Sequence, residues 1–281
     1  MMNDDYFTEK VRKALAILIA VYGLFVIIGA PFLIQGSLDA ILLRVVPKIP
    51  KEPNMALTAI LLPTFFLIMR GIDFVAGITL VVIAYPFWKG EKWTWAIALS
   101  ALSLPTLFGV LTSLPHIVQY NRPPAAGLIL LFGLIVYELV LLLRKSDKVT
   151  KWARFFMFTL LGVTAGHINV LVLHSLKETI VREGRPYFTD IMTTVYGFEG
   201  PINFVAMVFC ILAIPLLASK SHKMAGWYLA LIAGLSVMLA NYPTHIIRMQ
   251  TSDFMVGGSL GLGLVVVALI PAFRKALTAE D

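Results

Sequence analysis

PAAGLILLFGLIVYELVLLL, residues 124–143, is a stretch of bilayer-spanning length closed by Arg144 and Lys145. About 20 helical residues cover the roughly 30 Å of hydrocarbon in a bilayer. Where water is absent the backbone must satisfy its own hydrogen bonds, and a continuous apolar run without period-two alternation does so as a helix, not as a barrel strand. Comparable runs lie on both sides of it, at 14–34, 70–88, 93–114, 153–175, 201–218, 225–243 and 254–273, separated by short charged or proline-bearing segments. The expected fold is an all-α, polytopic membrane helix bundle with about eight transmembrane helices. Composition points the same way, with 59% of the 281 residues hydrophobic, 14% charged and a mean hydropathy of +0.85. A soluble domain could not bury that much apolar surface.

The first run follows Lys10, Arg12 and Lys13, but it is too long and too poor in cleavage signal for a removable leader, so it reads as a retained helix. With the N-terminus inside, fourteen Lys and Arg residues fall on the inner side and eight on the outer, Arg70 being left out as lying in or beside a span. That bias predicts a cell-membrane protein with both termini cytoplasmic. Anionic lipid then accounts for a net charge of +7, and nucleic acid is not an expected partner. Cys210 has no second cysteine to pair with.

Residues 55–88 form an apolar run too long for one perpendicular crossing. The reading favours an interfacial or re-entrant segment from Met55 to about Met69, broken at Pro63, ahead of a crossing that starts near Arg70; a strongly tilted single helix is the alternative. The chain also echoes itself. Ile72-Asp73-Phe74-Val75-Ala76 recurs as Ile202-Asn203-Phe204-Val205-Ala206, and Pro86, Trp95 and Pro115-His116-Ile117 have counterparts in Pro215, Trp227 and Pro243-Thr244-His245-Ile246. These landmarks suggest two four-helix halves, 1–145 and 146–281, related by a parallel repeat. A competing register, 180 residues apart, matches Asp73-Phe74 with Asp253-Phe254.

No P-loop, HExxH, dinucleotide fingerprint or GxSxG elbow is present. The glycines between Gly257 and Gly263 lie in an apolar run and read as helix packing. Candidate chemistry therefore rests on polar groups at membrane depth, which are costly there. Arg70 and Asp73 are three residues apart and are expected to pair on one helical face. Glu138 stands alone in its span. In the fifth span, Thr164, His167, Leu171, His174 and Glu178 share a face, beside a Gly162/Gly166 pair that lets something flat approach. The topology places His116, His174 and His245 at outer helix ends and His167 in the same half, with Gln119, Asn121, Arg122, Glu178, Glu199, Asn203, Asn241, Arg248 and Asp253 at a similar level.

The leading expectation is an outer-facing intramembrane pocket in which His116, His167, His174 and His245 bind a redox cofactor, either a haem of the b type or a quinone. His116 and His245 would face each other across the repeat axis. Arg70, Asp73, Glu138, Asn203, Arg248 and Asp253 would form the surrounding polar pocket. The alternatives are a proton-coupled transporter using Arg70, Asp73 and Glu138, a metal-assisted membrane hydrolase with His174 and Glu178 as two ligands, and a structural or assembly subunit that binds partner membrane subunits.

Overall fold

The computed structural model describes residues 6–53, 55–120, 124–181, 191–219, 221–249 and 252–279, and among them there are helices and no strands. The helices are α1 (Glu9–Ile28), α2 (Ala30–Val45), α3 (Met55–Lys89), α4 (Thr94–Tyr120), α5 (Gly127–Leu142), α6 (Lys148–Val181), α7 (Ile191–Ala218), α8 (Lys223–Arg248), α9 (Asp253–Leu269) and α10 (Pro271–Thr278). Seven described helices are long and apolar enough to cross a membrane, or eight if the bent pair α9 and α10 counts as one span, and α5 is a shorter apolar helix. The chain is a multi-pass, all-α membrane protein.

Several boundaries differ from those read in the sequence: α7 begins ten residues before the run at 201, α6 extends beyond 153–175 at both ends, and three other differences change the course of the chain. The first helical path does not stop near residue 34: it runs through Gly29, which stays in the right-handed helical region, into α2. Pro31 has no N–H to give the Ile27 carbonyl, which explains the interruption. The eighth run does not continue to 273, because the chain turns by 77° between Leu269 and Pro271. The segment expected to lie flat or re-enter, Met55 to Met69, is the first half of one uninterrupted helix, α3. At about 1.5 Å per residue α3 is about 52 Å long. Pro63 fails to break it. The Thr64 hydroxyl donates to the Ile60 carbonyl at 2.9 Å, and Leu62 and Phe66 are buried against Ile34, Leu38 and Ile41 of α2, so packing holds the helix through the proline.

The helices form two closed rings. α1, α3, α4 and α5 pack each on the next, with α5 returning to α1; α6, α7, α8 and α9 do the same; and α4 joins the rings by packing on α6 and α7. Both rings contain glycine crossings at backbone distance. A Cβ on Gly23 would sit 2.8 Å from the Gly77 carbonyl oxygen, and one on Gly261 would sit 2.7 Å from that of Gly234. In membranes, where association relies on close packing more than on apolar transfer, such glycine contacts hold helix pairs together.

Each ring is also clasped at the end near the N-terminus. The Trp95 indole donates to the Val140 carbonyl at 3.2 Å and lies 4.0 Å from the Arg144 guanidinium; the Trp227 indole donates to the Ala268 carbonyl at 2.9 Å and lies 4.6 Å from Arg274. Both carbonyls belong to the last turn of a helix, where backbone acceptors lack a helical partner.

α6 starts on a side-chain cap. The Thr150 N–H donates to Asp147 Oδ1 at 2.9 Å, and hydrogen bonds from the Thr150 side chain and backbone hold this exposed carboxyl below its ordinary range. Asp147→Ala is expected to cost about 1 kcal/mol, read as a lower unfolding midpoint. Because the folded-state pKa is depressed, the stabilisation is present above the ordinary aspartate value and is lost as acid protonates the folded carboxyl, so wild type and variant should converge at low pH.

Candidate functional site

The expected polar pocket separates into two places. In the first ring Asp73 is buried, with its Oδ1 lacking a hydrogen bond; in the same ring Tyr22, on α1, donates its hydroxyl to the Ile129 carbonyl at 3.0 Å. Arg70 does not pair with Asp73. Its Nη1 donates to Gln35 Oε1 of α2 at 3.3 Å, and Gln35 in turn donates to Asp39 at 2.8 Å. Three residues along a helix leave the two side chains about 60° apart, and α2, read as a loop in the sequence, occupies the Arg70 side. Glu138 of α5 accepts from Thr159 of α6 at 2.7 Å and belongs to neither pocket. Gly166 packs on the Leu107 carbonyl of α4, whereas Gly162 meets nothing within 4 Å and lines a small groove between α4, α5 and α6, so the pair does not form one flat surface.

The second place lies in the ring of α6 to α9, at the end away from the Trp227 clasp. His174 of α6 stands edge-on to Tyr196 of α7, with ring centroids 5.7 Å apart, and 6.1 Å from Phe254 of α9. The Arg248 guanidinium of α8 covers Phe254 at 5.1 Å and lies 3.8 Å from the Asp253 carboxylate. Arg248 can reach inward because α8 ends at Met249, which takes a left-handed conformation, φ 48°, and donates its N–H to the His245 carbonyl. Below this aromatic layer is a polar core. Ser175 and Asn203 donate to the two oxygens of Glu199, Asn203 and Asn241 exchange amide hydrogen bonds, and Asn241 donates to the Val237 carbonyl at 2.8 Å. All four side chains are buried. Glycines make room for them: a Cβ on Gly200 would meet Ser175 at 3.1 Å, and one on Gly257 would meet the Asn241 side-chain oxygen at 3.0 Å.

The histidines take different positions. His167 is half-buried with Nε2 2.9 Å from the backbone carbonyl of Asp253, which ties α6 to the start of α9. His116 and His245 are half-buried on α4 and α8, and both of these helices pack on α7. His174 has a buried Nε2 without a hydrogen bond. It borders a groove of about 160 Å³ between α3 and α6, walled by Leu61, Leu62, Val170 and Leu173. The groove is also lined by Lys177 and by Thr58, whose buried hydroxyl has no partner either. Among the described residues no group of three His, Cys, Asp or Glu side chains could hold a metal ion, so His174 and Glu178 find no third ligand there.

The chain matches no protein-family model, no curated protein and no solved structure.

Sequence reading named Glu199 and Asn241 only as polar neighbours and passed over Ser175, Thr58, Tyr196 and Phe254. The i, i+4 spacing of Glu199 and Asn203, at the start of the apolar run 201–218, was the available signal. Arg122, Asn121, Arg182 and Arg185 lie outside the described residues, as does the side chain of Gln119.

Proposed function

We propose that this membrane protein binds a quinone-type ligand in the groove between α3 and α6, with the termini cytoplasmic and the groove toward the outer leaflet. The observation that carries the reading is the pair of buried, unpartnered polar atoms, His174 Nε2 and Thr58 Oγ1, on one groove whose walls are leucine and valine. Buried polar groups without partners are uncommon, and a ligand with a hydrogen-bonding head and an apolar body supplies what both need. The haem form of the reading has less support. His167 Nε2 is engaged on a backbone carbonyl, and His167 and His174 stand about 10.5 Å apart along α6.

The repeat of two halves, 1–145 and 146–281, is part of the same proposal. What supports it is the matching order of packing in the two rings and the Trp95–Arg144 and Trp227–Arg274 clasps at corresponding ends. A transport reading keeps one specific support, the buried carboxyl of Asp73 with an unpartnered oxygen in the first ring.

Titrating the detergent-purified protein with a short-tailed benzoquinone, followed by calorimetry, tests the binding. Saturable binding is expected, weakened about tenfold by His174→Ala and somewhat less by Thr58→Val, the loss of one hydrogen bond each. If the protein binds no quinone, or His174→Ala binds as wild type does, the groove is not a quinone site.

A further inference from the structure

We propose that Glu199 is a proton-binding site at the centre of the α6–α9 ring, with Arg248 as its counter-charge and Ser175 as the hydroxyl that reverses when the proton arrives. The inference goes beyond the quinone reading and does not rest on it.

Glu199 is 1% exposed inside a membrane-spanning helix, and in the structure both of its oxygens accept: Oε2 from the Ser175 hydroxyl and Oε1 from the Asn203 amide. That arrangement suits a carboxylate, which has no hydrogen to donate. An isolated carboxylate in hydrocarbon is prohibitively costly, so a compensating cation is required. Arg248 is placed to supply it from α8: its guanidinium covers Phe254 at 5.1 Å, and the Phe254 ring stands 6.2 Å from that of Tyr196, one turn before Glu199 on α7. The Arg248 side chain is 8% exposed, its Nε and Nη1 make no hydrogen bond among the described residues, and its ion pair to Asp253 is a loose 3.8 Å. A buried guanidinium left underbonded, and only loosely held by Asp253, is poised to be shared with a second carboxylate in the same ring.

Other titratable groups sit on the helices around Glu199: α6 brings His174, adjacent to Ser175, and beyond it Lys177 and Glu178; α8 carries His245 besides Arg248; α9 brings Asp253, which approaches Arg248; and α4, which also packs on α7, carries one histidine, His116, toward its end. Binding a proton converts the carboxylate to a neutral acid with one hydrogen to donate. Asn203 cannot accept it through its amide nitrogen. Ser175 can, by turning its own hydrogen toward the Leu171 carbonyl four residues back, a bond that helical serines readily make. The net change is one proton gained and one negative charge removed, which leaves Arg248 to Asp253.

Infrared difference spectroscopy between acid and alkaline pH, on vesicle-reconstituted protein carrying ¹³C in its glutamate carboxyls, reads this directly. Wild type should show isotope-shifted protonated-carboxyl intensity beyond that of the seven glutamates it shares with Glu199→Gln, and Asp73→Asn should retain this excess band. Glu199→Gln keeps the size and the accepting oxygen of the side chain, and its elution as wild type on gel filtration certifies folding. Ser175→Ala should change the frequency of the band and Arg248→Gln its titration midpoint, while Arg44→Gln leaves both alone. An identical difference spectrum for wild type and Glu199→Gln overturns the proposal. A Glu199 band indifferent to Ser175→Ala and Arg248→Gln overturns the roles given to those residues. Quinone titration reads the α3/α6 groove instead, so either proposal can fail without the other.

Discussion

Gly261→Leu is expected to destabilise the protein by about 3 kcal/mol or more, the cost of forcing volume into a packed crossing. Even a methyl group there would stand 2.7 Å from the Gly234 carbonyl oxygen and 2.7 Å from the Met238 backbone nitrogen. Backbone atoms of a helix cannot swing aside as a side-chain tip can, so α8 and α9 must separate. The separation would open the ring that holds Asn241 beside Asn203. Gly71→Leu is the control, since a Cβ at that exposed position meets nothing within 4 Å. Its effect should stay within about 0.5 kcal/mol. Midpoints of unfolding in sodium dodecyl sulfate, followed by circular dichroism, compare the two. Equal midpoints would mean that the two helices do not cross at backbone distance.

Trp227→Ala should cost about 3–5 kcal/mol, as deletion of a buried aromatic side chain does. The indole is 3% exposed, donates to the Ala268 carbonyl and lies under Arg274. Its hydrogen bond matters because of the bend that follows: Pro271 lacks an N–H and the chain leaves α9 at Leu269, so helical partners for the last carbonyls run out. Trp227→Phe separates the two contributions. It keeps much of the apolar volume but orphans the carbonyl, for an expected loss of about 1–3 kcal/mol. Trp93, 53% exposed, provides the comparison, and Trp93→Ala should be nearly neutral in the same unfolding assay. If Trp227→Phe and wild type unfold together, the clasp works by packing alone.

Much of the fold was legible because hydropathy is a property of each residue and a membrane span only sums it over about 20 neighbours. Residues 127–142, 153–175 and 225–243 fall inside helices for that reason. Pro63 misled for a physical reason as well. A proline removes one hydrogen bond locally, and whether a helix breaks depends on what else holds it; here the Thr64 hydroxyl and the face of α2 do. Arg70 misled in the same way, since i, i+3 spacing permits a pair with Asp73 without requiring one, and Gln35 lies within reach only because α2 folds alongside.

The sequence alone determined that this chain is a helical, multi-pass membrane protein, and that its polar groups at membrane depth are few enough to name. Tertiary structure decided which of them meet. Ser175, Glu199, Asn203 and Asn241 come from three helices and span 66 positions of chain, and nothing in their local spacing says that four buried side chains will share one hydrogen-bonded cluster. That outcome depends on where Gly200 and Gly257 let α7 and α9 approach. Burial and spacing along a helix are local quantities, whereas convergence depends on the rotation and separation of helices far apart in sequence, set by packing across the whole ring.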